Sequence, residues 1–250
     1  YHIEDVQLAK TEFARDPSFP IQSSQVTDLV VGAESLSIGA ALPDSGLVIG
    51  DTATEEDLDH WAKRTNEGIL PAGAAPFLAA LLRNQGMQMV AQTEPNDLYE
   101  RKILLVCGSQ SDNARHAAES LSEAGAPVFE TTNGSVEESA KRIANTLAQH
   151  SVTVLRHPRE ANDSPVELTA RIAVITSKVL SLCSQSQPHL CLEGGETAAA
   201  VLKQLGEESF TVRHEWEPGV VTLTSERQLL ATVKPGSYPW PAKLLGRPCG

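Results

Sequence analysis

Between residues 103 and 206, short apolar runs alternate with helix-like segments. The four runs are ILLVC, APVFET, SVTVLRH and PHLCLE, and a helix-like segment follows each of them. Apolar runs of this length are typical of buried strands, and helices between them supply the crossover connections that parallel strands require. The pattern therefore predicts an α/β fold with a mainly parallel sheet flanked by helices.

The chemistry of helix ends supports several of these boundaries. Ser135 and Glu138 have capping-box spacing, and Gly206 follows the last residue of the segment GETAAAVLKQL. Upstream, Thr54 precedes three acidic residues, which the helix dipole favours in a first turn. Helices are therefore predicted to begin after Thr54 and Ser135 and to end before Gly206.

The C-terminal part has a different sequence pattern. The segment FTVRHEWEPGVVTLTSERQLLATVKPG contains strand-like runs at short spacing, and Pro-Gly at 218–219 is a turn dipeptide. Short connections join antiparallel strands, so this part is predicted to append an antiparallel hairpin region to the sheet.

The N-terminal part is less regular. GLVIGD at 46–51 predicts a buried strand, and the segment at 69–86 predicts a strand end, a small-residue loop and an apolar helix. A polar, proline-containing stretch at 89–102 then separates this part from the regular α/β pattern. Such stretches are typical of domain boundaries, and the predicted domains are 1–97 and 98–250.

Charge and composition exclude several classes of protein. The net charge is −12 and no cluster of basic residues stands out, so nucleic acid is not an expected partner. No run of 18 apolar residues and no signal peptide occurs, so neither a membrane span nor secretion is expected. The four cysteines form no CxxC pair and the histidines no metal-binding spacing, so no metal site is expected from them. Cys107 and Cys191 lie in apolar runs and are predicted to be core thiols, which suits a cytoplasmic protein.

Two predicted strand-to-helix turns contain glycine and hydroxyl residues. In open α/β sheets, ligands bind beyond the carboxyl ends of the strands, where helix N-termini present free N–H groups and a positive dipole end. Glycine lets the backbone approach a phosphate or carboxylate closely. The candidate binding residues in the two turns are Gly108, Ser109 and Ser111, and Gly194, Gly195, Glu196 and Thr197.

The same residues have simpler interpretations. Gly-Ser and Gly-Gly are also common as plain turns and caps, and neither GxxxxGK[ST] nor GxGxxG after a strand occurs. Lys234, at the end of the last strand-like run, is a further candidate for binding phosphate as a point charge. Its alternative is a surface lysine before a tight turn.

An ordered set of segments resembles the four-carbon acid sugar kinase family. In that family the corresponding stretches are Gly-Ser-x-Ser, Gly-Gly-[Glu/Asp]-Thr, Glu-x-x-Pro-Gly-Val and Lys-Ser-Gly-x-Phe-Gly. The matching segments, in chain order, are TEFARDP, VIGDTATEEDL, PAGAAPFLAALL, VCGSQSD, LEGGETA, EWEPGV and VKPGSY. The resemblance covers nearly the whole chain.

The resemblance implies ATP-dependent phosphorylation of a four-carbon sugar acid such as threonate, erythronate or 3-oxo-tetronate. Residues 1–97 would be a remnant of the sugar-acid-binding domain and 98–250 the nucleotide-binding domain, with Mg²⁺ expected alongside ATP. The partners are then small molecules, the sugar acid and ATP. The residues implied to line the ATP site are Ser109, Gly194, Gly195, Glu196, Thr197 and Gly236.

The sequence also departs from the family pattern. The family's Asp-Asp-x-Thr-Gly motif, which binds the sugar acid, does not occur, and Pro235 and Pro239 replace a Ser and a Gly near the ATP edge. No motif identifies a catalytic base. Three hypotheses follow: the ATP-binding portion of a sugar acid kinase, a non-catalytic nucleotide- or partner-binding module derived from such a kinase, and an unrelated α/β enzyme that binds a phosphorylated metabolite.

Overall fold

The computed structural model describes most of the chain as two compact units, Tyr1–Ala91 and Gln92–Gly250. The described residues are 1–3, 5–15, 19–87, 101–108, 112–131, 134–158, 163–236 and 238–245. Two predicted site residues, Ser109 and Ser111, lie outside these ranges, so their binding role stays a prediction.

The described part of the first unit contains two small sheets and three short α-helices. Strands β1 and β2 pair in antiparallel fashion, and β3 and β4 pair in parallel. Two 3₁₀ turns, Leu8–Lys10 and Glu12–Arg15, follow β2. The elements are β1 (His2–Ile3), β2 (Val6–Gln7), α1 (Val26–Leu29), β3 (Ala33–Leu36), β4 (Leu47–Gly50), α2 (Glu55–Arg64) and α3 (Ala75–Asn84).

The sequence predictions for this unit are confirmed in part. The predicted strand at 46–51 is β4, but it is not buried as predicted, because Leu47 is exposed and the other three residues are half-buried. Thr54 caps α2 in a full capping box with Asp57. The predicted strand end at 69–70 is wrong, because residues 69–74 form neither strand nor helix. Pro71 cannot donate a ladder hydrogen bond, which disfavours pairing there.

Apolar burial in the first unit is slight. Among its described residues, the buried apolar side chains are only Ala62 and Ala80. Larger apolar side chains are exposed, including Val31 at 95% and Leu70 at 94% of their full accessibility. The described residues of the unit therefore lack the packed centre that normally stabilises an α/β layer.

The second unit is built on one seven-stranded sheet with the strand order β6-β7-β5-β8-β11-β10-β9. The first five strands in that order are parallel, while β10 pairs in antiparallel fashion with both β11 and β9. Pro218 and Gly219 form the turn between β9 and β10, with Gly219 at φ 85°. The strands are β5 (Ile103–Cys107), β6 (Val128–Glu130), β7 (Val152–Arg156), β8 (His189–Glu193), β9 (Phe210–Glu217), β10 (Val220–Ser225) and β11 (Leu230–Lys234). Both the mainly parallel sheet and the appended antiparallel strands are as predicted.

The helices of this unit begin and end where local chemistry favours it. The Ser135 hydroxyl accepts a hydrogen bond from the Glu138 N–H, Ser164 forms a capping box with Glu167, and Gly206 ends its helix in the left-handed conformation at φ 70°. The helices are α4 (Asp112–Glu123), α5 (Val136–Leu147), α6 (Pro165–Leu182), α7 (Gly195–Leu205) and α8 (Ala242–Leu245). None of the helices in the described part of the chain is long and apolar enough to span a bilayer.

Helices cover both faces of the sheet at its centre, which explains why the central strand β5 is apolar throughout. Leu104 and Val106 of β5 pack into a cluster with α5, α6 and α7. Ile103, Leu105 and Cys107 face the opposite side, where α4 and α8 pack. The helix that follows β5 thus lies on one face, whereas the helices that follow its neighbours β7 and β8 lie on the other. The carboxyl end of β5 is therefore a topological switch point, where open α/β sheets form a ligand crevice.

Candidate functional site

The carboxyl ends of the five parallel strands lie side by side in register. Cys107 of β5 pairs with Arg156 of β7 and with Glu193 of β8, and Glu193 pairs with Lys234 of β11. At the outer end of this row, Glu130 of β6 forms an ion pair of 2.8 Å with Arg156. The strand ends thus bring acidic and basic side chains together at one edge, beside the switch point.

The two glycine-bearing turns contact each other at this edge. A Cβ atom placed on Gly108 would lie 1.8 Å from the hydroxyl oxygen of Thr197, so only glycine allows this approach. Thr197 is buried against the end of β5. The structure therefore brings together the two turns that the sequence singled out, although the ligand-binding role of Thr197 stays a prediction.

The two glycines before α7 have different environments. Gly194 adopts φ 92°, a conformation that favours glycine, and its N–H donates a 2.9 Å hydrogen bond to the Lys234 carbonyl. Gly195 is exposed, and a Cβ placed on it would meet only open space. Glu196 is also exposed, in the first turn of α7. Gly194 is thus required by the fold, whereas nothing in the fold requires glycine at position 195.

Lys234 is buried rather than at the surface, with an exposed fraction of 3%. The alternative interpretation of a surface lysine is therefore wrong. Its Nζ donates to the carbonyls of Pro235, at 2.8 Å, and Tyr238, and lies 3.6 Å from Oε2 of Glu193. The half-buried Gly236 lies in the segment that these hydrogen bonds hold. In this structure the Lys234 ammonium is engaged within the protein, and contact with a phosphate stays a prediction.

Glu193 is a site residue that the sequence analysis did not identify. It is fully buried, and its Oε2 accepts a 2.6 Å hydrogen bond from Nε1 of Trp240, while Cys107 Sγ lies 3.8 Å away. Its Oε1 has no hydrogen-bond partner among the described residues. Burial raises the pKa of Glu193 above its ordinary value, and the nearby Lys234 ammonium opposes that rise. An acidic residue at the end of an uninterrupted apolar run is the signal that could have identified it.

The thiol of Cys107 is a structural part of this edge. Burial, followed by the adjacent Glu193 carboxylate, raises the pKa of Cys107 well above its usual range. A thiol of this kind stays protonated and unreactive at neutral pH. Cys107 and Cys191 are both buried, which confirms the prediction that they are core thiols.

His157, immediately after β7, is a second residue that the sequence analysis did not single out. Its Nδ1 lies 2.9 Å from the hydroxyl of the buried Thr131, whereas its Nε2 is buried and has no hydrogen-bond partner among the described residues. Burial lowers the pKa of His157 below its ordinary value, so the neutral ring is favoured at neutral pH.

We expect this histidine to make the folded protein less stable in mild acid. As the pH falls through the ordinary histidine pKa, the unfolded chain takes up a proton that the folded protein still excludes from His157, so the free energy of unfolding decreases. The H157Q variant should show a shallower loss of stability between pH 7 and pH 5 in urea titrations. Replacing the exposed His116 of α4 by Gln is the control, and equal slopes for H157Q and the parent would contradict the prediction.

The second unit is an open, mainly parallel α/β domain whose glycine-bearing turns meet at a topological switch point. A family model described as the nucleotide-binding C-terminal domain matches residues 52–238. Together with the relatives described next, this match shows that the chain belongs to the nucleotide-binding C-terminal domain family of the four-carbon acid sugar kinases.

Two characterised relatives match over similar lengths. The chain is 27% identical over 265 residues to a D-threonate kinase of Salmonella typhimurium strain LT2, covering 86% of this chain and 60% of that protein. It is 23% identical over 267 residues to a D-erythronate kinase of Heliobacterium modesticaldum, with the same coverage of 86% and 60%. The chain thus spans about 60% of the length of the curated relatives it matches.

Solved structures support the fold. A Salmonella typhimurium LT2 protein with the provisional name tRNA synthase has a TM-score of 0.64 at 15% identity, covering 95% of this chain and 66% of that one. A Haemophilus influenzae protein has a TM-score of 0.56 at 16% identity, covering 97% and 68%. At these identities the likeness concerns the fold alone.

Proposed function

We propose that this chain provides the ATP-binding part of a kinase that phosphorylates a four-carbon sugar acid such as threonate, erythronate or 3-oxo-tetronate. The family membership and the kinase relatives support the class of reaction. The observation that carries the proposal is the contact between the turns of Gly108 and Thr197 at the switch point of the sheet. A nucleotide phosphate placed there would meet the N-terminus of the eleven-residue helix α7.

The residues at this edge would act mainly by position and charge. Phosphoryl transfer needs the transferred group to be held and its charge neutralised, which backbone N–H groups at a helix N-terminus provide. Because Gly195 is exposed and has no Cβ, a phosphate can approach the N–H groups of the first turn of α7 closely. The hydroxyl of Ser109 and the backbone of Gly236 belong to the same proposed site.

The residues present fit a magnesium ion that is bound chiefly through the nucleotide. Kinases hold Mg²⁺ through phosphates, water and one or two carboxylates rather than through a complete protein cage. Glu196 offers an exposed carboxylate in the first turn of α7, and no cluster of three or more metal-ligating side chains occurs among the described residues. Mg²⁺ would neutralise phosphate charge, and Glu196 would orient the ion or a ribose hydroxyl.

Thermal melting with Mg-ATP tests whether the chain binds ATP, and the G195D variant tests whether the Gly194–Gly195 turn contacts the phosphates. Asp is favoured in the first turn of a helix, so G195D should retain or gain about 0.5 kcal/mol of folding stability. The added carboxylate should nevertheless lower the affinity for ATP at least tenfold, on the order of 1.4 kcal/mol, because it repels the phosphates. Differential scanning fluorimetry across an ATP titration measures both quantities.

The matched control is A199D, which adds the same charge at an exposed position one turn further along α7. It should leave the ATP-induced rise in Tm close to that of the parent. A parent protein that shows no rise at millimolar Mg-ATP would refute the ATP site. Equal ATP affinity for G195D and the parent would show that the Gly194–Gly195 turn does not contact the phosphates.

A non-catalytic nucleotide-binding module is the second candidate function, and one observation favours it. The Lys234 ammonium is engaged by two backbone carbonyls and Glu193, so it does not extend into the proposed phosphate site. Incubation with ATP, Mg²⁺ and a panel of four-carbon sugar acids distinguishes the candidates. ATP binding without phosphoryl transfer supports the module, and a phosphorylated sugar acid supports the kinase.

A further inference from the structure

We propose that Glu193, Lys234 and Trp240 form a positioning cluster, which holds the segment after β11 against the Gly194–Gly195 turn without contacting the ligand. This inference rests on the proposed nucleotide site. It assigns Lys234 a role different from the one that its sequence position suggested. It also assigns roles to Glu193 and Trp240, neither of which was among the candidate binding residues. The cluster joins residues from β8, the end of β11 and the segment that follows it.

The carboxylate of Glu193 is the centre of the cluster. Its Oε2 accepts the Trp240 indole N–H at 2.6 Å and lies 3.6 Å from Lys234 Nζ, which is itself 5.3 Å from the centre of the Trp240 ring. Glu193 is fully buried, so its charge depends on these two partners. Because its Oε1 has no partner in the described structure, loss of either contact would leave the carboxylate poorly compensated.

Lys234 extends the cluster to the backbone of the following segment. Its Nζ donates to the carbonyls of Pro235 and Tyr238, and these two bonds fold the chain back around the ammonium. The backbone carbonyl of Lys234 also accepts from the N–H of Gly194. The segment is thus fixed to β8 through main chain and side chain at once.

The position of Gly236 relative to Gly194 follows from these contacts. Gly236 lies between the two residues whose carbonyls bind Lys234, and Gly194 directly follows Glu193. If both glycines contact one nucleotide, their separation must be held to a fraction of an ångström. A buried ammonium with this many internal partners provides that constraint, whereas a flexible surface lysine would not.

The conservative variant W240F tests the cluster. It keeps an aromatic ring near Lys234 and removes the indole donor to Glu193, together with part of the ring's volume. We expect the affinity for Mg-ATP, measured by calorimetry well below the Tm, to fall about tenfold. W216F is the matched control, because the Trp216 indole donates at 2.7 Å to Thr222 on the same face of the sheet. W216F should lose comparable stability and keep the parent's ATP affinity.

A double-mutant cycle separates positioning from direct phosphate contact. If Lys234 and Trp240 act through Glu193, the losses of ATP affinity in K234M and W240F should be strongly non-additive. If Lys234 bound a phosphate independently of Trp240, the losses would add. K203M, which removes an exposed ammonium at the end of α7, should leave the affinity unchanged.

Amide hydrogen exchange of the unmodified protein gives a measurement that does not depend on the folding of a variant. Positioning predicts that Mg-ATP protects peptides covering 194–198 and 234–240 together. Protection of only one of the two, additive losses in the cycle, or parental affinity in both W240F and K234M would overturn the cluster and leave the ATP site intact. A parent that binds no ATP would overturn both proposals.

Discussion

Replacing Gly108 by Ala should lower the free energy of unfolding by about 3 kcal/mol, the upper end of the cost of overpacking a core. The added methyl would lie 1.8 Å from the hydroxyl oxygen and 2.8 Å from the Cβ of Thr197, a buried side chain in the first turn of α7. The turn cannot move without disturbing the adjoining hydrogen bond from Gly194 to Lys234. Urea denaturation of the parent and G108A measures the difference.

Two further variants show whether the loss comes from this contact. G195A makes the same chemical change in the neighbouring turn, where the new methyl meets open space, and should cost little or nothing. T197A removes the nearest atom, so the G108A/T197A double variant should recover part of the lost stability relative to the sum of the single changes. Unchanged stability of G108A, or a full loss that T197A does not relieve, would contradict the contact.

Local sequence patterns were sufficient to predict the second unit. Runs such as ILLVC are apolar at every position because helices cover both faces of the sheet. This unbroken apolar pattern is why the sequence predicted parallel strands. Caps at Thr54 and Ser135 are confirmed because a capping hydrogen bond involves residues only three apart. The antiparallel strands β9 and β10 could be predicted because the Pro-Gly turn that joins them is also a local signal. Predictions failed in the first unit, where residues 69–74 offer apolar side chains without a partner strand.

The candidate site was harder to predict, because its interactions cross between strands. The glycine turns could be found in the sequence, but their contact depends on β5 and β8 being neighbours, which the chain order does not reveal. Lys234 looked like a surface residue because its partner Glu193 is 41 positions earlier and meets it only through the register of β8 with β11. The contact between Nδ1 of His157 and the hydroxyl of Thr131 likewise joins residues that follow two neighbouring strands.

The charged side chains at the carboxyl ends of the strands form two ion pairs. Ion pairs between Glu130 and Arg156 and between Glu193 and Lys234 flank the end of β5 on its two sides. Each pair balances its own charge, so we expect the proposed phosphate site between them to depend mainly on backbone N–H groups among the residues that the structure describes. Such a site would allow an acidic chain to bind an anion without a lysine-rich motif.

Amides of the first unit should exchange with solvent about a thousandfold faster than those of the central strands β5 and β8. Exchange from a folded region requires local or global opening, and the free energy of opening follows the apolar burial and packing of that region. In the first unit the described buried apolar side chains are Ala62 and Ala80, whereas all five residues of both β5 and β8 are buried. Its parallel pair β3–β4 has only two strands, which is too few for independent stability.

Hydrogen exchange with mass spectrometry on the whole chain measures this difference, which corresponds to about 4 kcal/mol in opening free energy at 1.4 kcal/mol per factor of ten. Peptides from α2 and α3 should exchange early, although α2 has a full capping box, because capping contributes only about 1 kcal/mol and cannot replace a packed centre. Peptides from α6, whose buried residues contact the sheet, serve as the internal control for helices and should exchange late. Protection of α2 and α3 equal to that of α6 would show that the first unit has a source of stability other than apolar burial within this chain.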